Sequence, residues 1–236
     1  MTKEIAVPAK RPNSRREAIV DAAVRLWAER GYDATGIADV CEAANIGKGA
    51  LYHHVGSKED ILFEIHNRFV DPMLAYGREV LDSDLAPSEA ITAIGHRLIS
   101  TIATHRDECA IFIREYIALS AERFETVREK RREFASIISE LLERGIAAGE
   151  FDKVPVALAT HAFLALHNHV YAWLRPDGPF SPDDVADVFD RIFLNGIMLQ
   201  ESATPRKPAT PRKPWPSLTR AKIILPKPRA ICSGRW

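Results

Sequence analysis

Apolar residues fall at helical spacing along most of this chain. Ile19, Ala22, Ala23, Leu26 and Trp27 stand at i, i+3, i+4, i+7 and i+8, the stripe of a helix that buries one side. Asn13 or Ser14 caps it, with Glu17 placed to complete a capping box, and Gly31 stops it in the left-handed conformation. From Thr35 to Lys58 the rhythm changes. Ile37, Val40, Cys41 and Ala44 make one face of a two-turn helix, Asn45-Ile46-Gly47 breaks it, and Ala50, Leu51, His54 and Val55 make a second short face. Gly47 takes positive φ without steric cost and Asn45 tolerates it, so a turn of about three residues can swing the second helix sharply against the first. This pattern predicts a helix-turn-helix. The second helix leaves Lys48, Gly49, Tyr52 and His53 on its free face: a cation, a small residue and two flat side chains with polar tips. Such a surface suits the major groove of DNA, which admits an α-helix and exposes base edges to its first residues.

Ser57 caps the next helix, with Asp60 on the reciprocal side of the cap. Lys58 occupies its first turn, where the helix dipole disfavours a cation. That placement predicts another partner, and a DNA phosphate at the helix end would meet both the amino group and the free backbone N–H groups. Ile61, Leu62, Ile65, Phe69, Met73 and Leu74 carry the apolar stripe well past the helix-turn-helix, so one helix, to about Leu81, links it to the rest of the chain. From Pro87 onward helix succeeds helix with no alternating strand pattern. The spacing predicts helices over 87–104, 107–121 and 122–148, the last ended by Gly145 and Gly149. The mixed charges of 128–133 read as a solvated helix face.

Two further helices, over 156–174 and from the Ser181-Pro182-Asp183-Asp184 start onward, carry apolar residues on more than one face. They are expected to pack against the domain on one side and a second copy of the chain on the other. Phe112, Tyr116, His161, His167, Asn168 and Tyr171 place polar and aromatic groups in this mainly apolar region and are the expected lining of a ligand cavity. His167 and His169 lie two apart on a helix and so point away from each other. With no i, i+4 histidine pair and no carboxylate pair nearby, neither a metal site, a catalytic site nor a cofactor is expected.

The residues from Asn13 to Met73 resemble the DNA-binding domain of the TetR family of bacterial repressors. The likeness rests on Gly31-Tyr32 before Ala34-Thr35, on Leu51-Tyr52-His53-His54 and on Ser57-Lys58-Glu59. Gly36, Asn45, Gly47 and Val55 depart from the family's usual Ser or Thr, Gly, Ser or Thr, and Phe; Gly36 lacks a hydroxyl that often touches a phosphate. The resemblance implies an all-α protein in two parts. Residues 13–73 would form a three-helix DNA-binding domain with its motif over about 36–55, and 74–200 a helical ligand-binding and dimerisation domain. It implies DNA contacts from Gly36, Ile37, Lys48, Gly49, Tyr52, His53 and Lys58. The implied partners are double-stranded DNA as a pseudo-palindromic operator, a second copy of the chain as homodimer, and a small-molecule effector. The turn Trp173 to Phe180 is similar to one in actinobacterial repressors of sterol and fatty-acid breakdown that sense acyl-CoA thioesters, which makes such a thioester the implied effector class.

Composition adds constraints. Formal net charge is zero, yet residues 1–60 hold 9 basic and 9 acidic side chains, 61–200 hold 14 and 22, and 201–236 hold 9 and 1. An acidic middle repels DNA and confines binding to the first segment and the tail. Residues 1–12 read as a flexible basic arm, and 201–236 as a Pro/Lys/Arg-rich disordered tail that repeats Thr-Pro-Arg-Lys-Pro at Thr204 and Thr210. Cys41, Cys109 and Cys232 show no CxxC spacing, which fits a reducing cytoplasm. No apolar run is long enough to span a membrane and the N-terminus lacks a signal-like apolar core, so a cytoplasmic location is expected. A ligand-independent architectural DNA-binding protein is the alternative from this reading. An enzyme is disfavoured because no spacing brings titratable groups together and no glycine-rich phosphate loop comes after a strand.

Overall fold

The computed structural model describes residues 15–198; the expected arm, the Asn13/Ser14 cap and the tail lie outside the described residues. Among the described residues nine α-helices succeed one another: α1 (Arg15–Arg30), α2 (Ile37–Ala43), α3 (Lys48–His54), α4 (Lys58–Leu81), α5 (Pro87–Thr104), α6 (Arg106–Glu115), α7 (Ala121–Ala148), α8 (Val156–Asn168) and α9 (Pro182–Ile197). The one strand-like pairing among these residues is a lone antiparallel bridge between Phe151 and Met198.

Local chemistry sets the ends of the first helices. Gly31 closes α1 at φ 90°. Thr35, buried just beyond, donates its hydroxyl to the carbonyls of Gly31 and Tyr32 at 3.1 and 3.2 Å, so the chain turns tightly into α2. Gly36 caps α2 without a side chain of its own, and Asp39 supplies the missing oxygen by accepting from the Gly36 N–H at 2.6 Å. Between α2 and α3 the left-handed residue is Asn45, at φ 49°, whereas Gly47 is extended at φ −68° and caps α3. Asparagine reaches this region more easily than other side-chain-bearing residues, so the turn closes without the glycine. Ser57 accepts from the Asp60 N–H at 3.0 Å and starts α4.

Two cores result. The first gathers Ile19, Val20, Ala23, Trp27, Val40, Leu51, Val55, Ile61, Leu62 and Ile65 from α1 to α4, and closes with Ile111, Leu119 and Val127 from the α6–α7 region. The second fills the space among α4 to α9, with Phe69, Met73, Ile91, Ile94, Leu98, Ile138, Leu142, Phe163 and Phe193 among its members. α4 takes part in both, and the expected boundary at residue 73 falls inside it. α5 is the central helix of the second part, packing on α4, α6, α7, α8 and α9.

Three predicted helix ends move. α6 stops at Glu115 and a 3-10 turn over Tyr116–Ala118 leads to Ser120; α8 stops at Asn168 and a 3-10 turn covers Val170–Ala172. Gly145 lies within α7, which runs on to a left-handed Gly149 at φ 77°. A Cβ on Gly145 would overlap the Phe151 ring, so this glycine makes room for a side chain and does not end a helix.

Candidate nucleic-acid interface and effector region

α3 buries Leu51 alone and presents Lys48, Gly49, Tyr52 and His53 to solvent, Tyr52 with 48% of its surface exposed. Nothing stands within 4 Å of where a Gly49 Cβ would sit, so the face is open to close approach. A second chain segment steadies the far end of α3: Arg16 donates to the His54 carbonyl at 3.1 Å while its other nitrogen reaches Glu64 at 3.0 Å. The two expected contacts at the start of α2 separate. Gly36 is exposed, whereas Ile37 is half-buried against the first core and offers little side chain to a groove.

Lys58 has a partner that the sequence reading missed. Its ammonium donates to the Tyr32 carbonyl and lies 3.9 Å over the Tyr32 ring, tying α4 to the α1–α2 turn. Burial lowers its pKa. The Tyr32 phenol is itself pushed up to about 12, chiefly by burial and then by Glu59 and Asp33, and the ring under Lys58 stays neutral. The misplaced cation was the signal; the partner belongs to the fold, and any phosphate contact is additional to it.

The six expected cavity residues differ in their surroundings. Phe112 and Tyr116 share Arg131, whose guanidinium lies 5.1 Å over one ring and 4.7 Å over the other. Phe112 also meets Phe69 at 5.1 Å and the edge of His66 at 4.8 Å. Tyr171 is buried nearby, with Arg114 5.7 Å over its ring and Arg106 donating to its carbonyl at 2.8 Å. His167 is buried, its Nδ1 2.8 Å from the Phe163 carbonyl. Gly95 of α5 admits it: a Cβ there would lie 2.9 Å from His167 Nε2 and 3.0 Å from Asp190 Oδ1. Burial pushes His167 down to about 4 and Asp190 up to about 6, and His96 Nε2 stands 3.0 Å from the Asp190 carboxylate. Asn168 is half-buried. His161 corrects the expectation: it is exposed on the face of α8 opposite Thr160, Phe163 and His167, and so does not line the interior of one chain. His66 and Arg131 were overlooked, although a histidine in the stripe Leu62, His66, Phe69, Met73 was visible.

Among the described residues no three His, Cys, Asp or Glu side chains are grouped to hold a metal, and no helix is long and apolar enough to cross a membrane. A helix-turn-helix with an exposed second helix, joined to a larger helical domain through one shared helix, is the architecture of a DNA-binding regulator. The chain belongs to the TetR family: residues 19–65 match the model described as bacterial regulatory proteins, tetR family, and residues 84–197 match the tetracyclin repressor-like C-terminal domain. It is 33% identical over 205 residues to the HTH-type transcriptional repressor KstR2 of Rhodococcus jostii, covering 84% of this chain and 98% of that one. The solved ketosteroid transcriptional regulator KstR2 of Mycobacterium tuberculosis superposes with a TM-score of 0.75 at 29% identity, over 81% of this chain and 99% of that one. AibR, solved in complex with isovaleryl coenzyme A and operator DNA, shares the fold with a TM-score of 0.69 at 24% identity, over 76% of this chain and 97% of that one. The chain is therefore a transcriptional regulator and not an enzyme.

Proposed function

We propose that this protein is a homodimeric repressor that holds a pseudo-palindromic operator through two copies of α3 and leaves it when a small molecule, an acyl-CoA thioester, enters the second domain. The observation that carries the reading is the exposed set Lys48, Gly49, Tyr52 and His53 on a helix whose scaffold is otherwise fixed by burial and by Arg16. Lys48 and His53 would reach base edges or phosphates, Tyr52 phosphates, and Gly49 and Gly36 would allow close approach. Dimerisation would set two such helices roughly 35 Å apart, one turn of DNA. Leu158 on α8 and Ile192 on α9, with Trp173 between the two helices, are large apolar side chains left exposed by the single chain and suit a dimer face.

The proposed release runs through α4. Its first turns lie in the DNA-reading core and its later turns in the second core, so a ligand that favours one position of α4 changes the spacing of the readers. The shift is limited to the ligand's differential affinity for the two states; a coupling of about 1–3 kcal/mol gives roughly 5- to 150-fold. Action in the cytoplasm follows from an operator as target. A mobility-shift titration on the DNA flanking its own gene, with and without acyl-CoA thioesters, is the test. Tight, salt-sensitive binding released by one thioester is the expected result, and the absence of any specific binding would overturn the reading.

A further inference from the structure

His66 sits in the middle of α4 and is only 1% exposed, yet neither Nδ1 nor Nε2 has a hydrogen-bond partner among the described residues. A leucine or phenylalanine would fill the same space without stripping water from two ring nitrogens for nothing in return. Its surroundings are graded in polarity. The His66 ring meets Phe112 of α6, Phe112 meets Phe69 of α4, and beyond Phe112 comes the half-buried guanidinium of Arg131 on α7, resting on Phe112 and Tyr116. The contacts therefore run from a cation, through aromatic rings, to an imidazole.

We infer that His66 is the inner polar contact of the effector, donating a ring N–H to the carbonyl oxygen of an acyl or keto compound whose anionic group pairs with Arg131. The inference rests on the reading of the chain as an effector-controlled regulator and adds to it the residue that grips the ligand and the chemistry it selects. Burial, and after it the charge of Arg131, holds His66 down to about 3, so the ring is neutral and offers one donor and one acceptor. Arg131 and His66 lie on different helices, so a compound bridging them spans α7 and α4. Ile65, the neighbour of His66 in sequence, is packed in the DNA-reading core. A bond to His66 is thus a bond to the helix that positions the readers.

Two sources share this chemistry, a free carboxylic acid and a coenzyme A thioester. The test uses octanoyl-CoA, isovaleryl-CoA, octanoate and uncharged methyl octanoate, with binding followed by calorimetry on the full chain and operator release by fluorescence anisotropy. His66→Phe keeps the ring contact with Phe112 and should leave the fold and the ligand-free operator affinity unchanged. It should weaken every probe that binds the wild type by about tenfold, the worth of one good hydrogen bond. Arg131→Gln should weaken the thioesters and the carboxylate and leave the methyl ester unaffected. Thioester binding without octanoate binding assigns the anion to coenzyme A phosphates, and the converse assigns it to a carboxylate. Wild-type affinity in His66→Phe, or failure of all four probes to bind the wild type, overturns the inference. Should His66→Phe fail to fold, Arg131→Gln decides alone: a loss that ignores the charge of the probe, or no loss, overturns it. Release that persists unchanged in His66→Phe sinks the site and leaves effector control standing, whereas probes that bind through His66 but never release the operator sink effector control and leave the site.

Discussion

Lys58 stands where the helix dipole opposes it, and the fold answers with the carbonyl and ring face of Tyr32. Replacing it with methionine keeps the stem and removes both contacts, at a cost of about 1 kcal/mol or roughly 2–4 °C of thermal midpoint. If the ammonium also neutralises one phosphate, the salt dependence of operator binding falls by about one unit. A lower midpoint with an unchanged salt slope would assign Lys58 to the fold alone. Tyr52 and Lys48 are the opposite case, exposed and touching no core. Tyr52→Ala and Lys48→Ala should each weaken operator binding by about 1–3 kcal/mol at matched salt, with melting curve and oligomeric state unchanged. Unaltered affinity in both would remove α3 as the reader. These outward residues were legible because a short amphipathic helix has one free face. The partner of Lys58 was not legible, since Tyr32 lies a whole helix-turn-helix away in sequence.

At the level of elements, α4 is held to its neighbours by polar ties as well as by its two cores. Asp60 pairs with Arg123 of α7, the Glu59 carboxylate accepts from the Ser120 N–H at 2.9 Å, and Lys130 reaches Asn67 and Asp71 at 2.7 and 2.6 Å. Farther along, Arg78 pairs with Glu133. These ties run along one side of α4, so its motion is coupled to that of α7. Gly145 shows the other way in which an element is fixed. Gly145→Ala would drive a methyl group into Phe151 and should destabilise the fold by about 1–3 kcal/mol, read as a lower urea midpoint at unchanged slope. No change would mean that the Phe151 ring shifts freely. Helix starts were readable from caps such as Ser57 and Ser181, whose hydroxyls accept from Asp60 and Asp184 N–H groups at 3.0 and 3.1 Å. The breaks after Glu115 and Asn168 carry no proline or glycine and so gave no warning; Leu119 and Val170, both buried, are placed by them.

For the whole molecule, the buried titratable groups give stability a definite pH dependence. His66 and His167 have folded pKa values of about 3 and about 4, below the 6.5 of the free side chain. The unfolded chain therefore takes up protons that the native one cannot, and each histidine costs stability as pH falls below 6.5. Asp190 works in the other direction. Its folded value of about 6 lies above the free 3.8, so it adds stability as pH falls through that window. Each group contributes about 1.4 kcal/mol per pH unit while its two states differ in protonation. Two against one leaves a net loss, and the urea midpoint should fall between about pH 6 and pH 4. His66→Phe should flatten that fall and Asp190→Asn should steepen it. A midpoint that does not move over this range would refute the burial of neutral histidines.

The sequence by itself determined the class of this protein. Helical periodicity, caps and the interruption at Asn45 to Gly47 are local properties, and they set the helices, the helix-turn-helix and the residues it turns outward. Tertiary structure alone decided which distant groups meet. It paired Lys58 with Tyr32, joined Arg131 to Phe112 and Tyr116, left the nitrogens of His66 without partners among the described residues, and set His167 against Phe163 and Phe189. The physical reason is that periodicity fixes which face of a helix is buried but not which neighbour covers it. That choice depends on how side chains from separate helices fill one close-packed interior.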